Sequence, residues 1–502
     1  MSSPLLKKLA GQTAVYGLGT ILGRVLNYLL TPLYTGIFAA EAFGTYSEAY
    51  SYIAILLIVL TYGMETALFH FAQKNDKPKR VFSTAAASLL LTTACFWIFL
   101  FPNSSFVSEL MNYPGHPEYV VWLGLIIGFD ALSSLPMAWL RLQGRPGLFS
   151  IITLVNIGVN IGLNLFWLKW GRDIYLSGNA SPFEGWGLLE FNPEIGVGYI
   201  FLANLIASGV KLLLCIPFLK TGRLHLDARL LRQMLTYSAP LLVAGLGFIL
   251  NERLDVLMLK YILPLSPKDA MHQVGVYGAC YKLAILMTIF IQAFRYAAEP
   301  FFFSQQNRND AKEMYASVMN YFVAFCSVLF LMVVLHLDIF KHFLRDSSYW
   351  EGLSIVPVIM LANIFLGIYM NLSMWYKLSG QTKYGAIFSV IGAAITIGLN
   401  AALIPYFGFV GSAYTTLAAY GTMMVLSYLW GLKEYPIPYN LKRIAVYLGL
   451  SVLLYLVHRL FDSTTPALRL GFGFIMWTAF VAFALLTEFP NLKKQFSAKW
   501  KT

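Results

Sequence analysis

Polar side chains interrupt the long apolar stretches of this chain at only a few positions. In the first stretch they share one arc of a predicted helix and comprise Arg24, Asn27, Tyr28 and Thr31. An ionisable group inside a membrane helix is costly unless it faces protein or water, so it marks a pathway or binding site. We therefore expect the arc to line a polar cavity. Gly19 and Gly23 leave the alternative of a helix-packing seam.

A second group lies in the apolar stretch 236–262 and consists of Asn251, Glu252, Arg253 and Asp255. Asn251 and Asp255 are one helical turn apart, and Arg253 is roughly 13 Å from the outer end of the stretch at ~1.5 Å per residue. Two interpretations remain open. The group is either a substrate or coupling-ion site, or an ion-pair cluster that neutralises itself and joins helices.

Three further ionisable residues stand inside apolar stretches: Asp130, Lys211 and Lys282. Lys282 is about 12 Å deep, and Asp130 is central in its stretch. Both are candidate cavity residues, as is Lys211. Structural roles are expected for four charges closer to span ends: Glu48, Glu65, Arg295 and Glu299.

The motifs of common enzyme and metal sites are absent from the sequence. The histidines show no HExxH spacing, and no Walker loop or GxGxxG motif is present. The four cysteines lie in apolar stretches without paired spacing, which argues against a disulfide framework or a zinc site. We expect no catalytic residues, no metal and no cofactor. A proton or sodium gradient is the expected source of energy.

The elements that position these residues are predicted to be transmembrane helices. The chain has 502 residues, of which 58% are hydrophobic and 12% charged, about half the charged fraction of a soluble domain. Its apolar runs of roughly 18 to 28 residues are too long and too continuous for the strands of a barrel. The prediction is an all-α polytopic membrane protein with about 14 transmembrane helices.

The basic residues behind the net charge of +12 are unevenly distributed between the two sides of the predicted membrane. Most Lys and Arg residues fall in loops on one side of the predicted membrane. Apart from residues within spans or at their edges, the opposite loops hold only Arg172, Lys268, Lys341 and Arg345. By the positive-inside rule both termini are cytoplasmic, and the basic charge does not indicate a nucleic-acid partner. The first run is too long for a cleaved signal peptide.

Two segments recur six spans apart. Gly44, Tyr46 and Tyr50 match Gly275, Tyr277 and Tyr281, all three at one offset along the chain. The run Ile161–Asn164 recurs as Ile397–Asn400 at a second, similar offset. A six-span repeat makes the halves parallel copies, a layout typical of transporters that bind substrate at the midplane.

The repeat and the charge pattern divide the chain into four parts. The predicted N-terminal lobe is 1–219, the cytoplasmic linker 220–235 and the C-terminal lobe 236–431, followed by two extra spans and a basic tail in 432–502. Alternating leucines and arginines in the linker predict a short interfacial helix, with a plain basic loop as the alternative.

In its motifs the chain resembles the polysaccharide transporter branch, the bacterial oligosaccharide flippases, of the multidrug/oligosaccharidyl-lipid/polysaccharide exporter superfamily. The motifs are Gly11-Gln12-Thr13, Gly23-Arg24, Pro32-Leu33-Tyr34, Gly44-Thr45-Tyr46, Asn251 with Asp255, and Val274-Gly275-Val276-Tyr277. Each motif is loose, so the resemblance rests on their order and spacing along almost the whole chain.

The resemblance implies two six-helix lobes in a V-shaped arrangement around a central cavity, with two extra C-terminal helices at the side. It implies a multi-pass protein of the bacterial cytoplasmic (inner) membrane. The implied substrate is an undecaprenyl-pyrophosphate-linked oligosaccharide, carried to the outer leaflet for O-antigen, lipopolysaccharide, capsule or exopolysaccharide biosynthesis. The implied partners are membrane lipids and a polysaccharide polymerase.

Such a substrate needs cations for the pyrophosphate and a polar cavity for the sugars. We therefore expect Arg24 and Arg253 to bind the headgroup, one from each lobe, with help from Lys282. The other expected substrate-binding residues are Asn27, Tyr28, Thr31 and Asn251. Proton or sodium coupling is expected at Asp255, Glu252 and Asp130.

Other functions are open on the sequence alone. A lipid II flippase also has fourteen spans and a cationic cavity, but its first-span pattern repeats arginine where this chain has only Arg24. An ion-coupled multidrug exporter usually stops at twelve spans. A membrane polymerase or glycosyltransferase expects a sizeable catalytic loop, which the sequence lacks, so we expect a secondary transporter and not an enzyme.

Overall fold

The computed structural model describes residues 21–74, 76–113, 115–179, 181–219, 225–461 and 465–488. Throughout these ranges the regular secondary structure is helical, without a strand. Twelve of the helical segments are long and apolar enough to cross a membrane. The predicted all-α polytopic fold class is therefore confirmed.

The described helices follow one another with short connections, many of them beginning at a proline. In chain order they are α1 (Thr31–Ile37), α2 (Ala40–Thr61), α3 (Met64–Lys74), α4 (Pro78–Leu100), α5 (Ser104–Leu110), α6 (Pro117–Leu142), α7 (Pro146–Leu165), α8 (Arg172–Ser177), α9 (Gly198–Leu219), α10 (Ala228–Ile262), α11 (Pro267–Gln305), α12 (Ala311–Val334), α13 (Leu337–Phe340), α14 (Val356–Leu372), α15 (Met374–Leu378), α16 (Lys383–Glu434), α17 (Leu441–Arg459) and α18 (Pro466–Glu488).

The described ranges contain twelve candidate spans, against a predicted number of about fourteen. The 52-residue helix α16 is two helices joined at a kink, because Gly408 has φ 54° and ψ −138° inside it. Only glycine adopts such a conformation without strain. With α16 taken as two spans, the remaining one is the predicted first span, 9–36, which includes residues 9–20 outside the described ranges.

Helical contacts divide the chain into two compact units. The first unit comprises Met1–Gly278 and Ser389–Ser412, and the second comprises Ala279–Phe388 and Ala413–Thr502. The limits of these units differ from the predicted lobe limits at 219 and 236, because α10 packs against α2 and α3 of the first unit. The division into two lobes at 1–219 and 236–431 therefore remains a prediction, distinct from these two compact units.

The predicted interfacial helix in the linker is not a separate element within residues 225–235. From Ala228 onward these residues are the first turns of α10, which continues without a break to Ile262. Asp227 fixes this start, since its Oδ1 accepts hydrogen bonds from the backbone N–H groups of Arg229 and Leu230 at 3.1 and 3.2 Å. The bond from Leu230 and the nearby Arg80 guanidinium lower the pKa of Asp227.

The two copies of the predicted repeat meet at a crossing of α2 and α11. A Cβ atom on Gly44 would overlap the carbonyl oxygen of Met271, and a Cβ atom on Gly275 would overlap the carbonyl oxygen of Ala40. Ala40 corresponds to Met271, and Gly44 to Gly275, under the same offset that relates the repeated segments in the sequence. Each copy therefore makes the same contact with the other, with backbone against backbone.

The donor residues of a second pair of contacts are related by the other offset. The side-chain amide of Asn160 in α7 donates to Oδ1 of Asn27 at 3.3 Å, and the hydroxyl of Thr396 in α16 donates to Oδ1 of Asn251 at 2.9 Å. Asn160 directly precedes the first copy of the second sequence match, and Thr396 directly precedes the other copy. Their acceptors, Asn27 and Asn251, lie in predicted spans that are also six apart but do not share that offset, so this second correspondence is looser than the first.

Candidate functional site

The polar arc of the first span divides between an exposed side and a packed side. Residues 21–28 are helical; Arg24 and Asn27 are exposed, and Tyr28 is half-buried. Thr31 at the start of α1 is only 2% exposed, and its carbonyl accepts a hydrogen bond from the Thr35 hydroxyl at 3.0 Å. The structure therefore places Arg24 and Asn27 where a ligand can approach them, while Thr31 belongs to the packed interior.

Next to this arc, α7 contributes two asparagines one turn apart. The amide nitrogen of the fully buried Asn164 donates to the carbonyl oxygen and to Oδ1 of Asn160, at 2.8 and 3.1 Å. Its Oδ1 accepts a hydrogen bond from the hydroxyl of Tyr34 at 3.0 Å. Since Asn160 also donates to Asn27, a chain of hydrogen bonds runs from the exposed edge of the arc into the protein.

Aromatic rings continue this chain along α2. The ring centroids of Tyr34 and Tyr46 are 5.5 Å apart, and those of Tyr46 and Tyr50 are 4.7 Å apart. The hydroxyl of Tyr50 bonds to the side chain of Asn204 in α9. We define the polar aromatic face as Asn27, Tyr34, Tyr46, Tyr50, Asn160 and Asn164. Tyr34 and Asn164 are buried and support the face, whereas the amides of Asn27 and Asn160 and the rings of Tyr46 and Tyr50 are accessible in part. These accessible groups can bond to hydroxyl groups and pack against the apolar faces of a sugar.

Asp130 and Lys211, both singled out from the sequence, form an ion pair beside this face. The ammonium of Lys211 lies 3.2 Å from Oδ1 of Asp130, which also accepts a hydrogen bond from the hydroxyl of Ser208 at 3.0 Å. The side chains of Asp130 and Lys211 are 21% and 22% exposed, so the pair is only partly enclosed by protein. The coupling role itself remains a prediction.

The four polar residues of α10 separate onto different faces of the helix. Asn251 is buried, and its amide nitrogen donates to the carbonyl oxygens of Gly247 and Ser389, each at 2.9 Å. Asp255, one turn later, is buried as well and accepts hydrogen bonds from the Tyr277 hydroxyl and the backbone N–H of Val256. These contacts connect α10 with α16 and α11.

The other two residues of that group lie on the more accessible side of α10. Arg253 and Glu252 are 37% and 32% exposed in their side chains, and Nη2 of Arg253 is 3.4 Å from Oε1 of Glu252. Lys282, by contrast, is half-buried in the second compact unit. Arg24 and Arg253, expected from different lobes, therefore lie in the same compact unit, and Lys282 lies in the other. The binding roles of Asn251, Arg253 and Lys282 and the coupling roles of Glu252 and Asp255 stay predictions.

The structure contains a buried charged cluster whose members the sequence did not connect with one another. Nζ of Lys260 lies 2.7 and 2.8 Å from the two carboxylate oxygens of Glu48, with side-chain exposures of 2% and 0%. The Tyr113 hydroxyl donates to Glu48 at 2.8 Å, and the Met111 carbonyl accepts from Lys260. A structural role for Glu48 was expected, but Lys260 is far away in the sequence and stands at the end of its span. No local spacing connects them.

The asparagines of α7 could have been found from the sequence. Asn156, Asn160 and Asn164 are spaced by four positions in an otherwise apolar span, which places them on one helical face. No group of three His, Cys, Asp and Glu side chains suited to a metal ion occurs within the described ranges.

Twelve long apolar helices within the described ranges define a class, that of polytopic membrane proteins. The family model for polysaccharide biosynthesis proteins matches residues 9–130 of the chain. This segment contains Arg24 and three tyrosines of the polar aromatic face: Tyr34, Tyr46 and Tyr50. No curated protein matches the sequence significantly.

Solved structures show the same fold. A lipid II flippase, MurJ, in an inward closed conformation is 14% identical with a TM-score of 0.66, over 94% of this chain and 99% of that one. An outward-facing multidrug resistance MATE transporter of the MOP superfamily is 13% identical with a TM-score of 0.59, over 88% and 97% of the two chains. An inward-facing MATE transporter is 16% identical with a TM-score of 0.53, over 89% and 96%.

The fold is therefore similar to that of the MurJ flippase and of the MATE transporters. The match to the polysaccharide biosynthesis model adds a likeness in sequence within the first part of the chain. Both comparisons agree with the resemblance found in the sequence, the family model within residues 9–130 and the solved structures in the fold.

Proposed function

We propose that the protein is a flippase for undecaprenyl-pyrophosphate-linked oligosaccharides. It moves them by alternating access from the cytoplasmic to the outer leaflet of a bacterial inner membrane, with both termini in the cytoplasm. The product supplies a polysaccharide polymerase that builds a surface polysaccharide. The observation that carries the proposal is the polar aromatic face, an unbroken row of amides and tyrosine rings inside an apolar helical protein.

The polar aromatic face suits the sugar part of such a substrate. Sugar rings offer hydroxyl groups to amides and a less polar face to aromatic rings, so a row of both can hold several orientations of an oligosaccharide. Drug-sized apolar cations would instead favour an apolar pocket with carboxylates. Near this face the carboxylate of Asp130 is already paired with Lys211.

The headgroup is assigned to the exposed cations of the same compact unit. Arg24 is exposed next to Asn27, and Arg253 lies on the accessible side of α10. A guanidinium binds the oxygens of a pyrophosphate through two parallel hydrogen bonds, which a lysine cannot match geometrically. Lys282 assists, and a proton or sodium gradient acting through Asp130, Glu252 or Asp255 drives the cycle.

The test is translocation of a radiolabelled undecaprenyl-pyrophosphate-oligosaccharide in proteoliposomes. The native protein is compared with Arg24→Gln and Arg253→Gln, and with Arg308→Gln as the control, since Arg308 is exposed and pairs locally with Asp310 at 2.8 Å. We expect transport by the native protein and the control and a loss in the two other variants. Equal rates in all four proteins would overturn the headgroup assignment.

Lipid II is the second candidate substrate, because the MurJ flippase gives a TM-score of 0.66 across nearly the whole chain. Its headgroup has the same pyrophosphate and fewer sugars to bind. The same vesicles loaded with lipid II separate the two substrates. Faster transport of lipid II than of the oligosaccharide would replace our proposal, and efflux of cationic drugs with neither lipid moved would favour a multidrug exporter.

A further inference from the structure

A pocket of about 250 Å³ lies in the second compact unit, where α12, α17 and α18 approach α13 with one end each. Its polar lining includes Asp338, Lys341, His458, Arg459 and Arg469. All these helix ends belong to the side that the charge distribution predicts to be the outer one. The pocket is remote in sequence from every residue assigned to substrate or coupling.

The pocket carries an excess of positive charge. Asp338 accepts from the ammonium of Lys341 at 3.0 Å and forms an ion pair with Arg469. Burial alone would raise the pKa of Asp338, but the hydrogen bond from Lys341 and the charge of Arg469 keep that pKa below its ordinary value. Among the described lining residues one carboxylate, that of Asp338, is therefore accompanied by three basic side chains, the third being that of Arg459.

Basic residues are scarce at the predicted outer side, since positive charge there opposes the orientation of the protein. Three of them nevertheless line one cavity. The surroundings are ordered by specific contacts: Lys341 lies over the ring of Trp350, 4.9 Å from its centroid, and Nε2 of His458 is 3.2 Å from the carbonyl oxygen of Arg469. An arrangement that gathers and orients like charges is typical of an anion site.

Exposed apolar residues close in sequence to the pocket arginines point to the source of the anion. Leu456, Leu460 and Leu468, neighbours in sequence of the pocket arginines, are strongly exposed. Exposed leucines on transmembrane helices face acyl chains, so a ligand bound here can keep its tails in the lipid. The volume is below the roughly 300–1,000 Å³ of pockets that enclose a whole small molecule, but a headgroup fits.

We infer that this pocket binds the phosphate headgroup of an anionic phospholipid of the outer leaflet. Lys341, Arg459 and Arg469 hold the phosphate oxygens, and Asp338 keeps two of these cations in position. The inference does not depend on the proposed function, because a resident lipid can bind whether or not an oligosaccharide is carried.

Native mass spectrometry of the full-length protein tests the inference, with phosphatidylglycerol, phosphatidylcholine or inorganic phosphate added at equal concentrations. We expect preferential retention of phosphatidylglycerol, reduced about tenfold by Arg459→Gln and by Arg469→Gln, because each removes a charge-assisted hydrogen bond. The matched control is Arg345→Gln, an exposed arginine of the same loop region outside the pocket lining. It should bind as the native protein does.

Arg469→Gln also breaks the pair with Asp338, so its fold is checked by thermal unfolding. Arg469→Lys, which keeps the charge, should restore most of the binding, and Arg459→Gln leaves the pair intact. Equal retention of phosphatidylglycerol and phosphatidylcholine would overturn the inference, as would unchanged binding in both glutamine variants. Displacement of the lipid by an equal concentration of inorganic phosphate would overturn its assignment to a lipid.

Discussion

The ammonium of Lys260 and the carboxylate of Glu48 form an ion pair closed off from solvent, with distances of 2.7 and 2.8 Å to the two oxygens. The pair joins α10 to α2, and Tyr113 adds a hydrogen bond from the loop before α6. Such a pair holds its helices in one register, because neither charge can leave the other without a partner in a place that water does not reach.

The first prediction concerns that pair. Glu48→Gln or Lys260→Met alone should destabilise the protein by about 3–5 kcal/mol, because each leaves one buried charge without its counter-charge. The double variant Glu48→Gln/Lys260→Met should be less destabilised than the sum of the two. Thermal unfolding of the detergent-solubilised protein measures this. Additive effects of the single changes would show that the two residues do not act as a pair.

The second prediction concerns the crossing of α2 and α11. Gly44→Ala and Gly275→Ala should each lower the melting temperature and the folded yield, since the new methyl group overlaps a backbone carbonyl that cannot move alone. Both effects are measured by thermal unfolding of the purified protein and by its yield after size-exclusion chromatography.

Gly158→Ala and Gly162→Ala are the matched controls. Both glycines lie inside α7 with no neighbouring atom within 4 Å of an added Cβ. Alanine there should stabilise the protein by about 0.5–1 kcal/mol, as it does in an open helix. The expected change in stability is negative at Gly44 and Gly275 and positive at Gly158 and Gly162. This difference separates a packing effect from helix propensity. Stabilisation by Gly275→Ala would contradict the close crossing.

The third prediction concerns the polar aromatic face. Tyr46 stands between Tyr34 and Tyr50, so its ring is the central part of the row. Tyr46→Ala should reduce oligosaccharide translocation about tenfold, because it removes a stacking surface worth about 0.5–1.5 kcal/mol at each ring contact. Tyr46→Phe should keep most of the rate.

The control for this loss is Tyr414→Ala, at a tyrosine of α16 that is 52% exposed. Initial rates in the proteoliposome assay, normalised to correctly inserted protein, provide the measurement. If Tyr46→Phe were as slow as Tyr46→Ala, the hydroxyl and not the ring would be the group that matters.

The fourth prediction concerns the Asp130–Lys211 pair. Asp130→Asn keeps the hydrogen-bonding shape and removes the charge, so transport driven by an imposed gradient should lose its dependence on that gradient, while downhill exchange continues. Lys211→Gln should leave a gradient response with an altered pH profile, because the carboxylate remains without its cation. A full gradient response in Asp130→Asn would move the coupling role to Glu252 or Asp255.

The helices were predictable from the sequence because apolar length determines them directly. Regular spacing in the sequence also made two other features predictable. These are the arc that contains Arg24 and the repeat that pairs Gly44 with Gly275. Pairings between distant positions were not readable: Asp130 and Lys211 were each recognised as unusual, but only the packing of α6 on α9 shows them to be partners.

Helix limits were also harder to predict than helix identity. The helices α10 and α11 extend beyond the predicted spans 236–262 and 275–302, because a helix continues past the apolar run that defines its span until a cap or a break ends it. The separation of Asn251 and Asp255 from Glu252 and Arg253 follows from the helical turn. Which face of α10 is buried depends on the helices that pack against it, and the sequence does not show which helices these are.

The contact between Gly44 and Gly275 has the form of a contact between two identical subunits, although both residues belong to one chain. In a true dimer of half-length chains, one mutation would alter both sides of such a contact together. Within a single polypeptide the two sides vary separately, and they already differ: Ala40 corresponds to Met271, and Ser47 to Gly278. Because one chain carries both sides, a substitution on one side of this contact leaves the other side unchanged.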